Sequence, residues 1–254
     1  MRPRHASLGG GIVDLLDEQE VLTAYERALT CESRPVAIES ANLDHLHWFP
    51  KGSHDRSTDV GFDWLTLMDG APLVYMARKL TGHELPRLTG ADLLLPMLEI
   101  ASRNGKSFGV FGGGSEMHER LGAVLEQRLP SLEVAGMWSP SRRSLSDPVL
   151  AGEWVDTIRE SDVDVLVVAL GKPRQEEWIR QHGRSTGAQA LLAFGAATDY
   201  LAGTVKRAPS FYQQHGLEWA YRLVHEPRRL ARRYVIEGPP SLVKLIRHSQ
   251  TREP

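Results

Sequence analysis

Four short stretches of this 254-residue chain carry residues whose types and spacing could do chemistry. Asp69-Gly70 closes the run Gly61 to Met68. A carboxylate at the carboxyl end of a strand, beside a flexible glycine, can serve as a general base. From the local sequence alone, an aspartate that only caps the following helix is the better reading. Gly112-Gly113-Gly114 follows the apolar run Ser107 to Phe111 and precedes a helical pattern. Glycines there let backbone N–H groups approach a phosphate or ribose, although a plain tight turn reads the same way. Their spacing departs from G-x-G-x-x-G, which argues against a dehydrogenase. Gly171-Lys172-Pro173-Arg174-Gln175-Glu176 ends the run Val163 to Leu170, with Pro173 where a helix can begin. Lys206 and Arg207, just past Gly203, could meet a diphosphate or simply be solvated. Metal chemistry has little support. Asp162 and Asp164 spell D-x-D but precede their strand, at the opposite edge of the sheet. His45 and His47 belong to no H-E-x-x-H pattern, and Cys31 is the only cysteine.

The elements that must position these residues alternate. Val163 to Leu170 and Ala188 to Phe194 are continuous apolar runs, as expected of strands buried on both faces. Each ends at a glycine, Gly171 or Gly195, and each leads into a helical pattern. Further strands are predicted at Pro35 to Glu39, Gly61 to Met68, Ser107 to Phe111 and Leu132 to Gly136. Helices are predicted at Val13 to Leu29, Pro72 to Leu80, Ala91 to Arg103 after a Thr89 cap, Glu116 to Arg128 and Pro148 to Glu160. Residues 1–10 are expected to lack regular structure, and Trp48 to Asp59 and Met137 to Asp147 to be loops. This alternation predicts an α/β fold, a doubly wound, mostly parallel Rossmann-like sheet whose carboxyl edge binds the ligand.

After Arg207 the composition shifts to an arginine-rich segment with no strand candidate. Pro227 and Gly238-Pro239-Pro240 are expected to divide it into about three helices. Its interleaved apolar and basic residues suit an anionic membrane surface, or a tail packed on the main domain. The division expected is 1–33 as an N-terminal tail and helix, 34–207 as an α/β catalytic domain, and 208–254 as a helical basic appendage. Hydrophobic content of 41% and charged content of 24% are ordinary for a soluble globular protein. A net charge of −2 gives no global attraction for nucleic acid. One cysteine excludes an internal disulfide, which suits a reducing cytosol. The opening residues lack a signal-peptide apolar run, and no stretch approaches the ~20 apolar residues of a membrane span.

Taken in order, the motifs resemble a known family. Asp69-Gly70, Leu85-Pro86-Arg87 with Thr89-Gly90-Ala91-Asp92, Phe111-Gly112-Gly113 and the Gly171–Glu176 motif are followed by Lys206-Arg207-Ala208-Pro209. Then come Gly216-Leu217-Glu218-Trp219-Ala220-Tyr221-Arg222-Leu223, Glu226-Pro227-Arg228-Arg229-Leu230 and Arg232-Arg233-Tyr234. From Pro35 to Leu245 the chain resembles the WecG/TagA/CpsF family of bacterial glycosyltransferases. The resemblance implies an inverting, metal-independent transfer of a sugar from a UDP-sugar to a lipid-linked, polyprenyl-diphosphate acceptor. That chemistry belongs to cell-surface polysaccharide synthesis at the inner membrane face, by a cytoplasmic protein held peripherally. It also implies roles by position: Asp69 as base, Ser40 and Asn42 near the sugar, Arg87 and Gln175 in the pocket, and Asp199 near the nucleotide. Gly112, Gly113, Gly171, Lys172, Glu176, Lys206 and Arg207 join as substrate-binding candidates. Arg222, Arg229 and Arg232 match a mobile appendage that closes over the diphosphate. No cofactor is implied, since the UDP-sugar is a substrate, and a homo-oligomer is left open. Ser40 stands where threonine is usual, Met68 where alanine is usual, and Gly195-Ala196-Ala197-Thr198 replaces a more glycine-rich run. A second reading keeps the fold without the chemistry, as a nucleotide-binding or membrane-docking protein. A third, a Rossmann-type oxidoreductase, would require NAD binding.

Overall fold

Side chains along Val165–Ala169 and Ala190–Ala193 are apolar at every position and almost wholly buried, because helices cover both faces of the sheet these strands form. A computed structural model describes residues 5–31, 34–53, 61–214 and 216–252. In chain order its elements are β1 (His5–Leu8), β2 (Gly11–Asp14), α1 (Glu18–Thr30), β3 (Val36–Ala41), α2 (Leu43–Trp48), β4 (Asp63–Met68) and α3 (Ala71–Thr81). Next are α4 (Gly90–Arg103), β5 (Phe108–Gly112), α5 (Ser115–Arg128), β6 (Val134–Trp138), α6 (Arg142–Ser146), α7 (Pro148–Glu160), β7 (Val165–Ala169) and α8 (Arg174–His182). The chain continues through β8 (Ala190–Ala193), α9 (Gly195–Leu201), α10 (Ser210–Gln214), α11 (Glu218–His225), α12 (Pro227–Ala231), α13 (Gly238–Arg247) and β9 (Gln250–Arg252).

The main sheet has the order β4-β3-β8-β7-β5-β6, and every pairing is parallel. Alternate residues of each strand therefore enter different cores. Ile38, Val165, Val167 and Leu192 pack with Tyr25 of α1, Leu94 and Met97 of α4 and Leu121 of α5. Ala37, Leu166, Val168 and Leu191 pack on the other side with Ile158 of α7 and Trp178 and Ile179 of α8. The result is the doubly wound α/β, Rossmann-like fold, with C-terminal helices.

Three expectations need correction. Residues 5–14, expected as an irregular start running into a helix, form the β1–β2 hairpin, and β9 adds to β1 antiparallel. Helix α1 begins only at Glu18, where Asp17 and Glu20 make a reciprocal capping box. A three-residue strand such as β9 is too short to leave a period in the sequence. Met137 and Trp138 continue β6 instead of opening a loop, and the remainder of that loop contains α6. The Gly238-Pro239-Pro240 run does not divide the tail. Helical backbone continues from α12 through a π-type segment, Arg232–Glu237, directly into α13. Both prolines lie in the first turn of α13, directly after the π-type segment. Of the expected Trp48–Asp59 loop, residues 54–59 lie outside the described residues, and Trp48 itself ends α2.

Candidate functional site

Because all six strands are parallel, their carboxyl ends share one edge, and most of the predicted site residues lie along it. Ser40 and Asn42 end β3, Asp69 follows β4, Gly112 and Gly113 end β5, and Gly171 and Lys172 follow β7. Asn42 is the N-cap of α2, its side chain accepting a hydrogen bond from His45 N at 3.1 Å. A Cβ at Gly70 would lie 3.0 Å from both Cα and Cβ of Asn42, so any side chain there would press on Asn42. Asp69 is not the cap of α3. The cap position belongs to Gly70, and no side chain bonds the first turn of that helix. The backbone of Asp69 is tied to Ala41 O at 2.9 Å, while no side-chain hydrogen bond engages its carboxylate among the described residues. Burial pushes the carboxyl above its ordinary range. Arg87 opposes that rise, Glu218 adds to it, and Lys172 and Arg233 oppose it. An unengaged carboxylate of raised proton affinity beside cations is equipped to take a proton from a hydroxyl.

Beneath this edge lies a buried ionic cluster. Lys172 Nζ donates to Ser40 O at 2.7 Å and lies 3.2 Å from both His45 Nδ1 and Glu176 Oε1. Glu39, wholly buried at the core of β3, accepts from Ser53 Oγ at 2.5 Å and Thr66 Oγ1 at 2.9 Å, with His45 Nε2 3.8 Å away. Burial, reinforced by the Glu176 charge, lifts the Glu39 carboxyl to about 7. Gln175 Nε2 donates to Ala193 O at 2.7 Å and to Glu176 Oε1 at 3.1 Å. Lys172, Gln175 and Glu176, predicted to touch substrate, thus face inward and fasten the β7–α8 turn to β3, α2 and β8. Glu39, His45 and Glu176 also bring ligand atoms within 4.8 Å of one another, a spacing that a metal ion could use. The Lys172 ammonium already lies among those donors and supplies the positive charge they need.

Guanidinium groups form the opposite wall. Arg87 Nη1 lies 3.3 Å from Glu218 Oε2. Arg207 Nη1 bonds Asp92 Oδ1 at 2.6 Å, and its Nε lies 3.9 Å from Glu218 Oε1. Arg222 Nε lies 3.8 Å from Glu226 Oε1, with its guanidinium over the Tyr200 ring. Arg233 Nε lies 3.2 Å from the buried Asp44 of α2. Arg232 takes no part: it is 80% exposed and paired with Glu237 at 2.9 Å. The side chain of Arg229 lies outside the described part of the structure. Among the described residues no hydrogen bond or ion pair draws Lys206 into this wall, and Asp199 accepts from Thr204 within its own turn at 3.2 Å.

The glycine run behaves as a close-packed turn. Gly112 has φ +114°, and a Cβ there would come within 2.4 Å of Ala169 O. Its carbonyl is held by the His118 ring at 2.7 Å, and Gly113 O accepts from Ser139 at 3.0 Å. Gly114 then caps α5 without a side-chain bond, leaving first-turn N–H groups at the ligand edge. At the far edge of the sheet, Asp164 binds Ser107 N and Lys106, so the D-x-D pair is a structural staple.

Sequence reasoning missed Glu218 and Arg233, although both lie within motifs quoted above. Which of two adjacent arginines turns inward depends on helix phase, and the π-type turn resets that phase. Glu39 was missed because nothing local distinguishes a buried glutamate from a solvated one.

A sequence profile of the glycosyl transferase WecG/TagA/CpsF family matches residues 6–254. Among characterised relatives, the N-acetylglucosaminyldiphosphoundecaprenol N-acetyl-beta-D-mannosaminyltransferase of Bacillus spizizenii (strain ATCC 23059 / NRRL B-14472 / W23) is 30% identical over 188 residues. That stretch is 72% of this chain and 68% of the relative. Enzymes of the same name from Bacillus subtilis (strain 168) and Staphylococcus aureus (strain MRSA252) are 28% identical over 166 and 164 residues. Each match covers 65% of this chain and 62% of the relative.

Proposed function

The chain belongs to the WecG/TagA/CpsF family of glycosyl transferases, and from this premise we propose that it transfers an N-acetylhexosamine from a UDP-sugar to a polyprenyl-diphosphate-linked saccharide. The donor sugar favoured by the names of the relatives is N-acetylmannosamine. The observation that carries the reading is the Asp69 carboxylate, unengaged by any described side chain, at the strand-end edge beside Arg87. In the reaction the acceptor hydroxyl attacks the anomeric carbon, its proton passes to Asp69, and the bond to the UDP oxygen breaks with inversion. Guanidinium groups and helix N-termini offset the charge that grows on the departing diphosphate. Catalysis proceeds without a divalent metal. The Lys172 ammonium among Glu39, His45 and Glu176 supports this, because it fills the cation's role there.

Asp69→Asn should lower turnover with UDP-N-acetylmannosamine and a lipid-diphosphate acceptor by roughly 100- to 10,000-fold, with UDP binding retained. Near-wild-type turnover would reject the assignment. Activity should survive EDTA. Loss of activity with EDTA, restored by added magnesium or manganese, would reject metal independence. Among the described residues no helix is long and apolar enough to cross a membrane. In this reading, exposed apolar and basic residues of the C-terminal helices meet the acceptor's membrane.

A further inference from the structure

The arginine wall holds more donors than its carboxylates can use. Each guanidinium offers five N–H groups. Arg207 uses Nη1 on Asp92 and directs Nη2 at Thr89 Oγ1, 3.4 Å away. Its Nε is buried and has no hydrogen-bond partner among the described residues, and the same is true of Arg222 Nε. The carboxylate between Arg87 and Arg207 is Glu218, whose contacts are long, at 3.3 and 3.9 Å. A charge-assisted bond of this type is ordinarily about 2.7–2.9 Å. The buried Nε groups of Arg207 and Arg222, each with its paired carboxylate (Glu218 or Glu226) 3.8–3.9 Å away, fit a ligand with more oxygens and more charge.

We propose that Glu218 is a resident stand-in for the substrate's diphosphate, holding α11 against Arg87 and Arg207 until a diphosphate enters and displaces it. This rests on the reading of the site as one for a nucleotide diphosphate. The displaced carboxylate has somewhere to go. Glu218 is the first residue of α11, where the helix dipole favours negative charge even without Arg87. Entry of the diphosphate then exchanges one long ion pair for several charge-assisted bonds, including bonds to the Nε groups of Arg207 and Arg222. Glu218 also faces the base. Among the charges acting on Asp69, Arg87, Lys172 and Arg233 favour its ionised form and Glu218 disfavours it. Its departure removes a charge that adds to the effect of burial in disfavouring an ionised Asp69.

The test uses the full chain and calorimetric titration with inorganic pyrophosphate and with UDP. Glu218→Gln should bind both about tenfold more tightly than wild type, as expected if the carboxylate occupies the site in about nine molecules of ten. Glu218→Asp retains the helix-terminal charge but shortens the reach to both arginines, so it should shift binding the same way. In Glu218→Gln the acid limb of kcat/KM should move to lower pH, because Asp69 loses its anionic neighbour. Equal or weaker binding by both variants, with wild type binding UDP normally, would overturn the proposal and leave Glu218 as a structural latch. Failure of wild type and both variants to bind either ligand would overturn the proposal together with the nucleotide-diphosphate reading beneath it.

Discussion

Glu39 makes protonation part of the energetics of this fold. Its carboxyl is wholly buried, and burial with the Glu176 charge raises it from an ordinary glutamate value to about 7. A carboxyl whose folded pKa is raised holds its proton more tightly in the folded state. It therefore contributes stability below about pH 4.5, and that contribution is lost as pH rises through about 7. Glu39→Gln mimics the protonated form, and its amide oxygen can still accept from Ser53 and Thr66. The variant should lose less stability than wild type between pH 5 and pH 7.5, as measured by thermal unfolding across that range. Parallel pH profiles would show that Glu39 does not titrate there. Lys172 is the counterpart. Replacing it with methionine leaves Glu176, whose side chain is wholly buried, without its cation. Breaking such a pair costs about 3–5 kcal/mol. If urea unfolding shows less than about 1 kcal/mol, the cluster does not hold the β7–α8 turn.

At the scale of elements, what was legible followed from burial and caps. The strands β5, β7 and β8 read directly as apolar runs, and α4 read from Thr89, whose hydroxyl accepts from Asp92 N at 3.1 Å. Thr89→Ala should destabilise by about 1 kcal/mol, and more if the Arg207 contact to the same hydroxyl matters. Gly112 read either as a point where a phosphate or ribose approaches the backbone or as a plain tight turn; the structure shows a turn packed against Ala169 O of the neighbouring strand. Gly112→Ala combines that overlap with a φ of +114°, so a loss of about 2–4 kcal/mol is expected in chemical denaturation. Other features were not legible because they depend on distant partners. β1 and β9 are short and gain their order from each other. The inward turn of the Gly171–Glu176 motif depends on Ser40 O and Ala193 O, neither of which the motif can announce. Asp69 was legible as a strand-end carboxylate, whereas its freedom from capping duty required the cap geometry at Gly70.

At the scale of the molecule, the C-terminal helices are partly core and partly surface. Leu245 of α13 is buried against Leu8 of β1 and Leu46 of α2, and Leu230 of α12 is also buried. Val235, Ile236 and Ile246 are instead 62–65% exposed, and Arg228, Arg232 and Arg247 are exposed with them. The combined variant Val235→Ser, Ile236→Ser and Ile246→Ser should reduce binding to anionic vesicles about tenfold or more. Transfer to a soluble acceptor analogue should be little changed. Unaltered vesicle binding would remove these residues from membrane contact. The order of the main sheet carries a consequence for how the molecule is made. β3 lies between β4 and β8, with Val36 opposite Ala190. When the ribosome has released β3 and β4, no neighbour exists on the inner edge of β3, and none appears until almost the whole α/β layer has emerged. The Asp69 end of the sheet therefore joins the glycine end late in synthesis. Until then, the paired β3–β4 ribbon shows an open strand edge to the cell, where chaperones or another nascent copy can reach it.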